Sequence, residues 1–202
     1  MLYHAYPFTS LKNRFVRYTM AIVLFCTSFL LLYGTVKRIR AELEWGEIAQ
    51  MALMGSGAEV FPRYESLMPV LENEPFFLYN YAAELYMARS YEKALEIARR
   101  CRVHWADYDL ELLLGELYEK HNQNEKALEH FSIAHNMCPN RFVPLYKQFK
   151  IYKAQGDTAR MISIGNEILT KKIKVHSRKI DIILNNVRYE LQKIDEGLRV
   201  RG

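Results

Sequence analysis

The chain has 202 residues, of which 50% are hydrophobic and 25% charged, a composition typical of a packed protein and not of a disordered one. Its net charge of +5 originates in residues 1–41, which hold six Lys or Arg and no acidic residue. Because the basic charge flanks one apolar segment, it does not indicate a nucleic-acid-binding domain, and we expect no nucleic-acid partner. Three cysteines without regular spacing do not decide the redox compartment.

The remaining charges are distributed unevenly. Residues 42–146 carry a net charge of −8, whereas residues 147–202 carry +7. This separation is compatible with two interpretations. The two regions form oppositely charged solvated faces, or the basic end binds an anionic surface or partner.

Residues 1–17 form a short basic tail without helical or strand periodicity. The segment 18–36 has nineteen residues and no charge, and as a helix it would be roughly 28 Å long, close to the thickness of a bilayer core. Tyr18 and Tyr33 suit the two interfaces. The segment therefore predicts a transmembrane helix.

An uncleaved anchor is favoured over a signal peptide, because basic residues follow the apolar segment where a small-residue cleavage site would be needed. Cys26 follows Phe25, whereas a lipoprotein signal needs a small residue there. Three basic residues flank each side of the segment, so the positive-inside comparison leaves its orientation open.

Residues 42–72 predict a degenerate helix pair. Apolar residues recur at helical spacing in two sets, separated by the helix-breaking sequence Gly55-Ser56-Gly57. We expect Pro62 in the first turn of the second helix, and Pro69 to end or kink it. The two sets are Leu43, Trp45, Ile48, Ala49 and Ala52, and Val60, Phe61, Tyr64, Leu67 and Met68.

Two near copies follow, at residues 91–96 and 124–129, with Ala94 and Ala127 33 residues apart. This period is typical of a repeated pair of antiparallel helices. In the best-formed unit, 108–141, small residues let two helices approach closely (Gly115, Ala127 and Ala134) and large ones fill the space between successive pairs (Tyr118 and Phe131). Leu114 precedes the glycine, and Pro139 follows the second helix.

On these residues the chain resembles tetratricopeptide repeat (TPR) proteins. The resemblance implies three units, at 75–107, 108–141 and 142–173, the third departing from the pattern at Met161, Gly165 and Ile168. Because one helix pair cannot bury its apolar face, the units must stack and be capped. The segment 177–198 predicts that cap, with Ser177 as its N-cap and one apolar stripe: Ile180, Ile183, Leu184, Val187, Leu191 and Ile194.

A narrower resemblance is carried by an apolar helix followed by Trp45-Gly46 and by the segments 80–85, 105–108 and 138–142. Together they look like the C-terminal tail of Bacteroidetes O-antigen-ligase-like membrane proteins. That resemblance implies a last membrane helix of the inner membrane followed by a repeat domain outside the cytoplasm. It transfers no catalytic residue, because the catalytic segments of those proteins have no counterpart in this chain.

No catalytic, cofactor-binding or metal site is predicted. Cys101-x-x-His104 has no second pair of ligands, so we assign Cys101 to core packing. His130 and His135 lie five residues apart, which is not zinc-binding spacing, and we expect both at the surface. The dispersed acidic residues are expected to form solvated faces.

A binding groove is predicted instead, because the first helices of stacked pairs line a common face. By register this groove contains Phe76, Tyr79, Tyr86, Asp109, Leu112, Glu116, Tyr146, Lys150 and Lys153. Aromatic residues beside mixed charges suit an extended peptide or a helix, although each tyrosine is as compatible with packing between helices. Trp105 lies in the turn between two units, where filling their junction is favoured over forming an exposed ligand site.

The sequence thus predicts an all-α protein: one transmembrane helix, a short TPR-like α-solenoid and a C-terminal capping helix. The function it favours is a membrane-anchored scaffold that binds a protein or peptide. The alternative is a C-terminal fragment or accessory part of a glycan ligase or polymerase, with partners in cell-envelope glycan assembly.

Overall fold

The computed structural model describes residues 9–53 and 57–199, and those residues form nine α-helices and no strand. The prediction of an all-α fold is confirmed. The chain divides into two compact units, Met1–Glu72 and Asn73–Gly202.

The first unit contains α1 (Thr9–Leu53) and α2 (Gly57–Leu71). Helix α1 begins inside the predicted tail and continues through the apolar segment into the predicted helix pair. Residues 1–8 of that tail, and Gly55 and Ser56 of the predicted break, lie outside the described residues. The helix is continuous because no proline interrupts residues 9–53 and the two glycines there cost little alone.

The apolar part of α1 faces outward. The stretch Phe15–Met51 contains a window of mean hydropathy 2.0 that is not buried, so its length and composition suffice to cross a membrane. The hydroxyls of Thr27 and Ser28 donate to the carbonyl of Leu24, at 2.9 and 2.8 Å, and that of Thr35 donates to Leu31 at 2.8 Å. These serine and threonine hydroxyls are thereby satisfied within the helix.

Beyond the apolar segment, α1 packs against α2. Ile48 and Val60 are fully buried, and Arg63 reaches back from α2 to Glu44 and Glu47 at 3.4 and 3.1 Å. Helix α2 does not end at Pro69, and it continues to Leu71, which is buried. Pro62 also lies inside α2 and beyond its first turn, so the predicted position of that proline is wrong.

The second unit consists of three helix pairs and a last helix. The pairs are α3 (Pro75–Met87) with α4 (Tyr91–His104), α5 (Tyr108–Lys120) with α6 (Asn124–Met137), and α7 (Val143–Gln155) with α8 (Thr158–Thr170), followed by α9 (Arg178–Arg199). The turn within each pair has one residue in the left-handed conformation: Arg89 (φ 62°), Asn122 (φ 57°) and Gly156 (φ 71°). The three turns therefore share one geometry although their residues differ.

Small residues allow the paired helices to approach closely. Ala94, Ala98, Ala127 and Ala134 are fully buried, and Gly115 lies directly against the ring of Phe131. A Cβ added at Gly115 would lie 2.6 Å from Phe131 Cδ1. The position thus requires glycine for close packing.

Helix α9 completes the core at the C-terminal end. Ile183, Leu184 and Val187 are buried against α7 and α8, with Ile180, Leu191 and Ile194 packed at the margin. The amide of Ile180 donates to Ser177 Oγ at 3.4 Å, the contact expected of an N-cap. The predicted apolar stripe is thus the face that α9 buries.

We expect Gly115→Ala to destabilise the second unit by about 1–3 kcal/mol, because Phe131 is fully buried and cannot move away. Gly165→Ala is the matched control. Its added Cβ would meet the flexible end of Leu191 at 3.0 Å and the buried ring of Phe149 at 3.2 Å. Both contacts are longer than the 2.6 Å contact at Gly115, so the gain in helix propensity should offset part of the crowding and the loss of stability should be smaller. The denaturant midpoint of unfolding measures the stability of both variants. Equal midpoints would contradict the requirement for glycine at position 115.

Candidate functional site

The predicted groove residues lie on α3, α5 and α7, the first helix of each pair. We call the side of α3, α5 and α7 that carries these residues, together with the adjoining side of α9, the first-helix face. Side-chain contacts between successive first helices connect this face, and three regions of it differ in character.

The beginning of α3 forms an aromatic region. The rings of Phe76 and Tyr79 lie 5.1 and 6.0 Å from that of Trp105, measured between centroids, and Phe76 remains 55% exposed. Burial raises the pKa of Tyr79, and the negative charge of Asp109 raises it further. Trp105 is partly buried and contacts two residues of α3, so it belongs to the same surface as the predicted groove residues.

Charged groups connect the middle of the face. Burial raises the pKa of Tyr86, as do the charge of Glu116 and a hydrogen bond to that carboxylate. Glu116 also pairs with Lys147, whose Nζ lies 2.7 Å from Glu116 Oε1 and 3.8 Å from Glu119 Oε2. Lys147 was missed in the sequence because its register does not distinguish it from a solvated lysine.

The third region lies between α7 and α9. The amide of Asn186 donates to the Tyr146 hydroxyl at 3.0 Å, and Lys153 pairs with Glu190 at 2.6 Å. Lys150 is exposed, with its Nζ 5.9 Å from the centre of the Tyr146 ring. The capping helix thus extends the face and lines a cleft of about 270 Å³ with α7.

Asp109 and Leu112 lie in a separate cleft of about 240 Å³, between the beginnings of α5, α7 and α9. Its walls include Tyr108 and Arg141, and the guanidinium carbon of Arg141 lies 5.5 Å from the centre of the Tyr108 ring. Burial raises the pKa of Tyr108 to about 12 despite this cation. A wider depression of about 640 Å³ lies around Ser90 and Glu92 and contains none of the predicted residues.

The other side of α5 contains a buried ion cluster. Glu111 is fully buried and pairs with Arg102 of α4 and with His130 of α6, whose Nδ1 lies 2.7 Å from Glu111 Oε2. The His130 ring also stacks on Tyr118, with centroids 5.2 Å apart. The prediction of a surface position for His130 is therefore wrong, as is a solvated position for Glu111. A buried carboxylate requires such partners.

Two further residues that were considered as metal ligands, His135 and Cys101, are enclosed by packing. His135 is mostly buried and contacts Glu167 at 3.4 Å, so its predicted surface position is also wrong. Burial lowers the pKa of His135, and the charge of Lys171 lowers it further. Cys101 is buried, with Sγ 3.2 Å from the Pro75 carbonyl oxygen, which confirms core packing. Burial raises the pKa of its thiol to about 11, so this cysteine is a poor nucleophile.

Comparison with solved structures identifies the type of fold, whereas comparison with protein families and curated proteins finds no match. Among solved structures, MamA protein superposes with a TM-score of 0.65 at 12% identity, over 79% of this chain and 86% of its own. YrrB, described as a TPR protein with an unusual peptide-binding site, superposes with a TM-score of 0.55 at 14% identity, over 61% of this chain and 64% of its own.

A third structure, the C-terminal part of a TPR repeat-containing protein from Cytophaga hutchinsonii, gives a TM-score of 0.59 at 13% identity, over 79% of this chain and 60% of that one. The fold is TPR-like. Identities this low establish the fold alone.

Proposed function

We propose that the protein is a membrane-anchored scaffold whose first-helix face binds an extended segment of a partner protein. The observation that supports this most directly is the aromatic region at the beginning of α3. Phe76 keeps more than half of its surface exposed while resting on Trp105, itself only partly buried. Exposed aromatic side chains on a rigid support are the residues that most often anchor a protein interface.

The charges on the face suit a segment with a defined direction. Asp109 is exposed near the aromatic region, whereas the exposed cation Lys150 lies on α7. Lys147 and Lys153 already pair with carboxylates of this chain, so they hold neighbouring helices together and contribute less to a partner. A peptide with a basic residue near Asp109 and an acidic one near Lys150 fits best.

We expect Tyr79→Ala combined with Lys150→Glu to weaken binding of peptides selected on the immobilised full chain by at least about tenfold, since it removes an aromatic support and reverses a charge. Fluorescence anisotropy measures the affinity, and circular dichroism checks that helical content is unchanged. The control is Glu96→Ala with Glu129→Lys, at exposed sites on α4 and α6. Equal affinities for both variants would exclude the first-helix face.

Attachment to a membrane through residues 18–36 is the second part of the proposal. It is supported by the outward-facing apolar side chains of α1 and by hydroxyls that bond within the helix. Attachment would hold the face near the bilayer and raise its effective concentration toward membrane partners. We propose the inner membrane, with the repeats outside the cytoplasm, on the resemblance described above.

We expect Leu24→Arg with Leu31→Arg to release the chain from membranes at alkaline pH, because each arginine at mid-bilayer costs about 2.5–3.5 kcal/mol. Both leucines are exposed on α1. The control is Leu43→Arg with Val103→Arg, which adds the same charge at exposed sites outside the segment. The unmodified chain and this control should both stay in the pellet, and release of the unmodified chain would refute membrane attachment.

A second candidate is a part of a glycan ligase or polymerase. It is supported by the contact between Arg141 and Tyr108, which joins two of the segments that carry that resemblance. Catalytic residues would then have to come from other membrane helices. An antibody against residues 108–141 should in that case detect a much larger membrane protein in native cells, whereas a band at 23.8 kDa alone would oppose this candidate.

A further inference from the structure

The connection between α8 and α9 has an unusual concentration of positive charge. Residues 171–179, which we call the basic loop, include five Lys or Arg and no acidic residue. Lys172, Lys174, Arg178 and Lys179 are all exposed, and none has a carboxylate partner in the part of the chain that the structure describes. Other cations of the second unit, such as Lys147 and Lys153, are paired.

The basic loop is held at both ends, so its middle projects. Lys171 Nζ donates to the Pro139 carbonyl oxygen at 2.6 Å, and Ile173 packs against the core around α9. Between these attachments and the start of α9, Val175 is 74% exposed. Ile182, one turn into α9, is 50% exposed. Two apolar side chains therefore point into solvent among unpaired cations.

This combination favours one class of partner. Apolar side chains that enter a headgroup region, beside cations that attract anionic lipids, are typical of interfacial membrane binding. A single-stranded nucleic acid would use a series of aromatic side chains for stacking, whereas the ring of His176 is the one aromatic group of the basic loop, which contains no Phe, Tyr or Trp. A depression of about 510 Å³ lies beside the basic loop, with Arg141, Lys174 and Val175 in its lining. An acidic peptide anchored there would need an enclosed apolar wall, whereas Val175 is 74% exposed and projects from the rim, as an apolar side chain that enters a headgroup region would.

We propose that the basic loop docks onto an anionic bilayer surface and forms a second, reversible membrane contact in addition to the apolar segment of α1. This inference rests on the proposed membrane attachment, because a few cations and two apolar side chains alone bind weakly, whereas the same contact added to a membrane helix binds stably. Docking would restrict the orientation of the first-helix face relative to the bilayer whenever anionic lipid is present.

The test uses the full chain carrying Val175→Trp, reconstituted into vesicles that contain a lipid brominated in its acyl chains. Vesicles of phosphatidylcholine are compared with vesicles that also contain phosphatidylglycerol. We expect additional tryptophan quenching, relative to the chain without Val175→Trp, in the anionic vesicles at low salt. High salt should abolish it, because exposed charges are screened.

Lys172→Gln with Lys174→Gln, added to Val175→Trp, should weaken docking about 30-fold. Lys93→Gln with Lys126→Gln, at exposed lysines on α4 and α6, removes the same charge and should leave the quenching unchanged. Quenching that does not depend on phosphatidylglycerol would overturn the inference, as would quenching that both double substitutions reduce equally. A complete absence of additional quenching would also overturn it.

Flotation of the vesicles separates the two proposals. A Val175→Trp chain that floats with them while its introduced indole stays unquenched refutes docking of the basic loop and supports the apolar anchor. A chain that floats with neither vesicle type refutes both. Relief of quenching by substoichiometric RNA or polyglutamate at constant ionic strength would show that the basic loop prefers those polymers, and would overturn anionic lipid as its partner.

Discussion

The second unit depends on how closely its paired helices approach each other. Fully buried alanines on α4 and α6 keep the side chains between paired helices short, and the ring of Phe131 occupies the space that a Cβ at Gly115 of α5 would need. Packing at this density tolerates little change in volume. It therefore determines which residues of α3, α5 and α7 point away from the core. The composition of the first-helix face is a consequence of packing on the opposite side of the same helices.

The ion pairs also differ between the two sides of α5. Glu111 faces the second helices and is fully enclosed, with Arg102 and His130 on either side. Glu116, on the same helix, faces the first helices and is only partly buried in its contact with Lys147. Enclosed charges must be paired in the folded state, whereas those on the first-helix face are accessible to water and to a partner. The acidic residues of this region therefore do not form one solvated face.

The repeat unit was predictable from sequence because its determinants are local. Small residues at a 33-residue spacing indicate the pairs, and an apolar stripe indicates α9. The burial of Glu111 was not predictable, because its partners lie on two other helices and no local pattern marks them. Arg89 is a similar case. It adopts a left-handed conformation that glycine adopts at Gly156, since the turn between closely packed helices requires it whatever the residue.

The continuity of α1 determines how rigidly a membrane anchor would hold the first unit. Composition changes sharply after Val36, which suggested separate elements, yet nothing in residues 37–41 interrupts hydrogen bonding along the helix. Arg38 and Glu42 even pair across one turn at 2.8 Å. The helix thus continues for about 26 Å beyond the apolar segment, and its last turns pack against α2. If residues 18–36 lie in a bilayer, the first unit is attached to it by a rigid helix and not by a flexible linker, so its orientation relative to the membrane is restricted. A rigid connection narrows the volume that the unit can sample, which raises the effective concentration toward partners within its reach and excludes those outside it.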